Sequence, residues 1–167
     1  MSFTMESPSL SGRRVTEDDL PFVLGVWNDE RVAATVGGRT SESELTDRLR
    51  AWSQHWDLHR FGTSVFSERS SGRLVGWGGL QHSTIGVGER LTVGYVVAPD
   101  AWGRGYATEI ASASVAYAVN ALAASLVTAS VRSTNAASRR VLEKVGFCVE
   151  VEIQHAELLE VVYSIVP

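Results

Sequence analysis

The sequence predicts an α/β fold on a mixed, largely antiparallel sheet, and three observations carry that reading. Short extended runs recur at Phe61 to Ser67, Leu74 to Gln81 and Thr92 to Val97, and Phe147 to Ile153 and Leu158 to Ile165 alternate with the two-residue period of half-buried strands. Between them lie stretches of helical period. Small side chains at positions 107, 110, 111, 114, 118 and 121 share one helical face, a pattern that lets a helix sit close to a sheet. Strands and helices also interleave along the chain, in the order β-α-α-β-β-β-α-β-α-β-β. With 167 residues, 44% hydrophobic and 20% charged, the chain is long enough for one well-packed core and too short for two.

Taken in order, residues 1–11 read as a flexible tail and 12–167 as a single domain. A short strand is expected near Arg13 to Val15. A helix then starts at Asp18 or Asp19, because Pro21 falls in its first turn, where a missing N–H costs nothing. It turns Phe22, Val23 and Val26 inward and ends near Asn28. Gly37-Gly38 marks a loop, and Ser41-Glu-Ser-Glu44 is a capping box opening a second helix through about His55. A turn at Ser70-Ser-Gly72 joins the next two strands, and Thr84 to Arg90 connects onward. Leu126 to Val131 is strand-like. Ala136 to Lys144 is helical, with Gly146 suited to a left-handed C-terminal cap.

Charge and composition narrow the function classes. A net charge of −4 provides no overall positive field for nucleic acid or an anionic membrane, though Arg132, Arg139 and Arg140 allow a local basic patch. No apolar run reaches membrane-spanning length, and Met1 to Leu10 lacks the pattern of a secretory signal. The single cysteine, Cys148, cannot form an intrachain disulfide, which fits a reducing cytoplasm; it reads as a buried small hydrophobe. His55 and His59 have helical metal-ligand spacing without a third ligand in view, so a polar helix end is expected and no metal. Trp52 and Trp56 share a helix face and read as core.

The chemistry concentrates in two segments. In Ala98-Pro-Asp-Ala-Trp-Gly-Arg-Gly-Tyr-Ala-Thr-Glu-Ile110, an extended run meets a glycine-rich turn and then a long helix. That geometry aims successive backbone N–H groups at one spot, a seat for a phosphate or diphosphate. Glycines that merely turn a corner remain the plain alternative. Gly103-x-Gly105-x-x-Thr108 lacks the third glycine of a dinucleotide fingerprint, and no Gly-Lys-Ser/Thr is present, which argues against an ATP- or NAD-binding domain. The second segment, Asn135-Ala-Ala-Ser-Arg-Arg-Val-Leu-Glu-Lys-Val-Gly-Phe147, begins 30 residues after Gly105.

Together these segments resemble the GNAT N-acetyltransferase superfamily, most closely the branch with the ribosomal-protein N-terminal acetyltransferases. The resemblance is specific from about Thr92 to Phe147. It implies a sheet of six to seven strands flanked by about four helices, with splayed central strands. It implies that Trp102, Gly103, Arg104, Gly105, Tyr106 and Ala107 wrap the CoA diphosphate with main-chain donors. Val96 and Val97 would pair their backbone with the pantetheine, a Val97 N–H would serve the oxyanion, and Asn135 and Ser138 would face the pantetheine and sulfur. Asn135 is equally a good N-cap, and a solvated helix face accounts for Arg139 and Arg140 as well as a 3′-phosphate does.

The implied function is an acetyl-CoA-dependent N-acetyltransferase acting on a protein N-terminus or a small amine by direct attack in a ternary complex. A catalytically silent acyl-CoA-binding module is the alternative. Acetyl-CoA would be the co-substrate, and a homodimer is common among such relatives. Two positions depart from the pattern. Relatives often carry a Tyr seven residues after the Asn, where this chain has Leu142, so Ser138, or a water it holds, is the expected proton donor to the thiolate. They often carry an acid just before the Gly-Tyr of the central strand, where this chain has Thr92-Val-Gly-Tyr95. His82, Glu89, Glu150, Glu152 and His155 are the candidate proton relays. An α-amine is roughly a tenth neutral at pH 7 and a lysine-like amine on the order of 1 in 2,000, so a weak base site favours an α-amine.

Overall fold

A computed structural model describes residues 4–84 and 88–167. Eight strands form one sheet, in the order β1-β2-β3-β4-β5-β6-β8-β7. They are β1 (Thr4–Glu6), β2 (Leu10–Arg14), β3 (Thr63–Glu68), β4 (Leu74–Thr84), β5 (Glu89–Val97), β6 (Val127–Arg132), β7 (Cys148–His155) and β8 (Leu158–Ile165). The helices are α1 (Leu20–Trp27), α2 (Glu30–Val36), α3 (Glu42–His59), α4 (Tyr106–Leu122) and α5 (Ala136–Val145). The fold class is the one the sequence implies, with eight strands in place of six to seven and five helices in place of about four. The expected connection from Thr84 to Arg90 falls partly outside the described residues.

The additional elements lie where local sequence signals are weak. Residues 4–6, expected in the tail, pair antiparallel with β2 over Thr4↔Arg13 to Glu6↔Ser11, and Met5 is buried against Leu10 and Phe66. Seven residues make up α2, in a stretch to which the sequence assigned no element; Asp29 caps it and Gly37, at φ 104°, ends it. Thr16 and Asp19 divide the first helix start between them. Thr16 opens a 3-10 turn in a capping box with Asp19, and α1 follows with Pro21 in its first turn. The Ser41–Glu44 capping box is present, and α3 runs one turn past His55 to His59.

Two helical layers cover the sheet. On one face, α1 and α3 bury Val23, Trp27, Leu45 and Leu49 over Val65 and Trp77, with Trp27 and Trp77 stacked at 6.1 Å. On the other, α4 turns Ile110, Ala111, Ser114 and Ala118 inward, while Ala121 of the expected face is exposed. The close approach is set by Gly78, where a Cβ would lie 2.7 Å from Ile110 Cγ2. Trp56 is buried, and Trp52 packs half-buried against the α1–α3 cluster. Edge strand β7 is almost wholly exposed, so Cys148 is a surface thiol and not the buried hydrophobe expected.

Candidate active site

All but one of the neighbouring strand pairs are antiparallel. The exception is β5 with β6, which run parallel and touch at a single register pair, Thr92↔Thr128, tied by their hydroxyls at 3.1 Å. Beyond it the strands part, and a cleft of about 700 Å³ opens between them. The peptide groups along β5 alternate in direction. Ala98 donates to Val75 of β4 at 2.8 Å, and Val96, on the same alternation, turns its carbonyl to β4 at Gly76. Tyr95 and Val97 therefore face the cleft. Of the two residues expected to pair with pantetheine, Val97 is oriented to do so; Val96 lines the cleft but gives its backbone to the sheet. The Val97 carbonyl accepts from Trp102 Nε1 at 2.7 Å.

At the head of the cleft, Gly103 and Gly105 take φ of 78° and 82°, a left-handed region that disfavours other residues. A Cβ at either would meet no protein atom within 4 Å, so backbone conformation and not crowding demands glycine there. Gly105 caps α4, whose first bonded amide is that of Glu109, so the preceding N–H groups point outward at the positive end of a 17-residue helix. Trp102, Gly103, Gly105, Tyr106 and Ala107 line the cleft and Arg104 does not. The Arg104 side chain turns behind the loop to Glu68 Oε1 at 3.0 Å, where Arg73 Nη2 (2.9 Å) and the Tyr106 hydroxyl (3.1 Å) also donate. Ser71 donates to Oε2 at 2.7 Å. These donors, Arg73 and Ser71 foremost, hold the Glu68 carboxyl down at about 2.

Asn135 and Ser138 line the opposite wall. Asn135 Oδ1 accepts from the Ser138 amide at 3.1 Å, so it is a helix cap as well as a cleft residue. Ser138 Oγ lies 3.0 Å from the Tyr95 hydroxyl across the opening. Leu142 is buried, but Tyr95 brings a phenol to Ser138 from β5. Burial pushes the Tyr95 hydroxyl up to about 12. The motif Thr92-Val-Gly-Tyr95 had placed Tyr95 on the right strand; its pairing with Ser138 depends on the distance between β5 and α5. Thr92, at the usual position of an acid, is spent on the β5–β6 contact.

The β6–β8 wall of the cleft holds a carboxylate that sequence reasoning passed over. Glu160 of β8 lines it, accepts a hydrogen bond from Ser130 of β6, and meets His155 Nε2 at 3.0 Å. The alternation of β8 puts Glu160 on the cleft side, but only the β6–β8 register brings it beside Ser130. Val32, Thr35 and Val36 of α2 and Arg132 also line the cleft. Arg31 of α2 sits 5.7 Å over the Trp102 ring.

Of the remaining candidate relays, His82 pairs with Glu89 at 3.2 Å and Glu150 with Arg90 at 2.6 Å; none of these four lines the cleft. Glu152 is exposed on β7. His55 and His59 join His82 and Phe61 in a ring cluster. His55 Nδ1 meets the Phe61 carbonyl at 2.9 Å and its Nε2 accepts from the His82 amide at 3.0 Å, so the ring is a neutral Nδ1–H tautomer with no lone pair left for a metal. Among the described residues no group of three or more His, Cys, Asp or Glu is placed to hold a metal, and no helix is long and apolar enough to cross a membrane.

Known proteins share this architecture. The chain is 27% identical over 145 residues to the uncharacterized N-acetyltransferase YoaA of Bacillus subtilis (strain 168), covering 86% of this chain and 81% of that one. An acetyltransferase from Agrobacterium tumefaciens str. C58 superposes with a TM-score of 0.86 at 21% identity, over 99% of this chain and 95% of that one. RimL, a ribosomal L7/L12 α-N-protein acetyltransferase solved in complex with coenzyme A, superposes with a TM-score of 0.81 at 16% identity, over 98% of each chain. At such identities the superpositions establish the fold alone. The sequence itself goes further: residues 10–148 match the family described as Acetyltransferase (GNAT) domain, and the chain therefore belongs to the GNAT acetyltransferases.

Proposed function

We propose that the protein moves the acetyl group of acetyl-CoA to a primary amine by direct attack in a ternary complex. The observation that carries this reading is the parting of β5 from β6 after one register pair, with the Tyr95 and Val97 peptide groups facing a cleft that starts at the α4 N-terminus. The complex of RimL with coenzyme A, on the same fold, supports it.

In this reading the diphosphate lies against the amides of residues 102–107. The pantetheine follows Tyr95 and Val97 as an added strand would, and a β5 amide at Val97 stabilises the oxyanion, an interaction commonly worth about 3 kcal/mol. Ser138, backed by Tyr95, donates to the departing sulfur. That donation is a hydrogen bond: a phenol held near 12 is too weak an acid to surrender its proton to a thiolate of ordinary pKa and a serine hydroxyl is weaker still, so Tyr95 orients Ser138 and solvent supplies the proton. From the β6–β8 wall, Glu160 takes the proton that the attacking amine sheds, and His155 passes it to solvent. The exposed Cys148 on β7 lies outside the cleft, so no cysteine there forms an acyl-enzyme.

Calorimetry with coenzyme A, followed by thiol release from acetyl-CoA with peptides, polyamines, aminoglycosides and amino acids, tests the proposal. Binding together with turnover on at least one amine is expected. Binding without turnover on any acceptor points to a silent acyl-CoA module, and no binding at millimolar coenzyme A removes the reading altogether.

A further inference from the structure

We infer that the acceptor is an amine that also carries a carboxylate, and that Arg132 binds this second group. The inference rests on the acetyl-transfer reading above and names the class of molecule that fills the acceptor end of the cleft.

Arg132, the last residue of β6, lies directly across the strand pair from Glu160 of β8. Side chains so opposed have Cβ atoms about 5 Å apart, a spacing at which arginine and glutamate ordinarily pair. Here they do not. Glu160 turns one oxygen to Ser130 and the other to His155. Arg132 extends toward α2 instead, with Nη2 3.1 Å from the position a Cβ would take on Gly37.

Among the described residues no carboxylate lies within salt-bridge distance of Arg132, whereas Arg13, Arg14, Arg31, Arg73, Arg90 and Arg104 each have one; Arg48, Arg60, Arg139 and Arg140 also lack one, but none of them lines the cleft. Arg132 is also the one arginine lining the cleft. A half-buried guanidinium without a counter-ion, in a cleft also lined by Val32 and Val36, is a seat for an anion. Beside it stands the Glu160–Ser130 pair, suited to an ammonium or amine. The two sites together fit an amino carboxylate with a few atoms between nitrogen and carboxyl. A free amino acid and a peptide N-terminus followed by an acidic residue both present this chemistry.

The test compares L-alanine and L-glutamate with their carboxamides, and alanyl-aspartyl amide with alanyl-asparaginyl amide, at saturating acetyl-CoA. A neighbouring carboxylate makes an amine more basic, so intrinsic reactivity at pH 7 favours the carboxamides; any preference for acids must come from recognition. The wild-type protein is expected to favour one acid of these pairs at least about tenfold in kcat/KM, the factor one charge-assisted hydrogen bond supplies. Which pair shows it distinguishes a free α-carboxylate from an acidic side chain. Arg132→Gln should collapse the ratio to below about twofold and Arg132→Lys keep part of it, with coenzyme A affinity by calorimetry unchanged in both. Equal or better turnover of every carboxamide overturns the inference, as does a preference that survives Arg132→Gln. Loss of coenzyme A binding in Arg132→Gln also overturns it, by giving the arginine to the cofactor. Turnover of no amine at all removes the acetyl-transfer reading and the inference with it.

Discussion

Glu68 Oε1 accepts from Arg104 Nη1 at 3.0 Å, on the side of the glycine turn that faces away from the cleft. Arg73, which shares that oxygen, also reaches Asp100 at 2.8 Å, so both ends of the Pro99–Tyr106 segment are tied to one hairpin. The arginine in the middle of the glycine turn thus acts as a strut, and the turn presents backbone to the cleft.

Glu68→Gln should loosen that strut. Coenzyme A affinity is expected to fall roughly tenfold, from the loss of charge-assisted hydrogen bonds, while kcat at saturation changes little. The effect has a pH signature. A carboxyl lowered to about 2 in the folded protein contributes stability that is present above its ordinary pKa near 4.5 and is lost as pH falls toward 2. Thermal unfolding of wild type and Glu68→Gln should therefore differ at pH 6 and converge as pH drops from about 4.5 to 2; parallel curves across that range would show that Glu68 is not the anchor.

Ser138→Ala and Tyr95→Phe should each lower kcat by about ten- to a hundredfold with little change in coenzyme A affinity, as loss of a proton-donating or orienting group does. The two hydroxyls are 3.0 Å apart and Tyr95 is expected to act through Ser138, so the double variant should be scarcely worse than Ser138→Ala alone. Fully additive losses would show that they work separately.

Gly105→Ala separates fold from binding. Its φ of 82° should make alanine cost about 1–2 kcal/mol of stability. No protein atom lies within 4 Å of the new methyl, yet it would project beside the amides of residues 106 and 107. Coenzyme A affinity should therefore fall by more than the stability loss explains, and an unchanged affinity would place the diphosphate elsewhere.

His55 should make stability acid-sensitive. Burial lowers its pKa below 6.5, the Phe61 carbonyl only partly opposes this, and both ring nitrogens are engaged. A group depressed in the folded state contributes stability above its unfolded pKa that is lost as pH falls through the folded value. Wild type should lose stability on going from pH 7 to 5. His55→Gln should be about 1–2 kcal/mol less stable at pH 7 and flatter over that interval, as chemical denaturation at each pH would show.

Local chemistry made much of this protein legible in the sequence. The glycines at 103 and 105, the Asn135 cap, the Ser41–Glu44 capping box and the small-residue face at Ile110, Ala111, Ser114 and Ala118 are each set within a few residues. Each has a backbone or periodicity signature that survives without neighbours. The short strand β1 and the seven-residue helix α2 left no such trace, because elements so small are stabilised by what they pack against and not by propensity.

The polar pairs of the cleft depended on distance in space. Tyr95 meets Ser138 across 43 residues of chain, and Ser130 meets Glu160 across 30. Strand order decides both contacts. With β8 inserted between β6 and β7, Glu160 reaches the cleft, while Glu150 and Glu152, on a β7 pushed to the sheet edge, do not. The sequence by itself determined where backbone amides could gather on an anion. Which carboxylate and which arginine line the cleft together was decided by the register of β6 against β8.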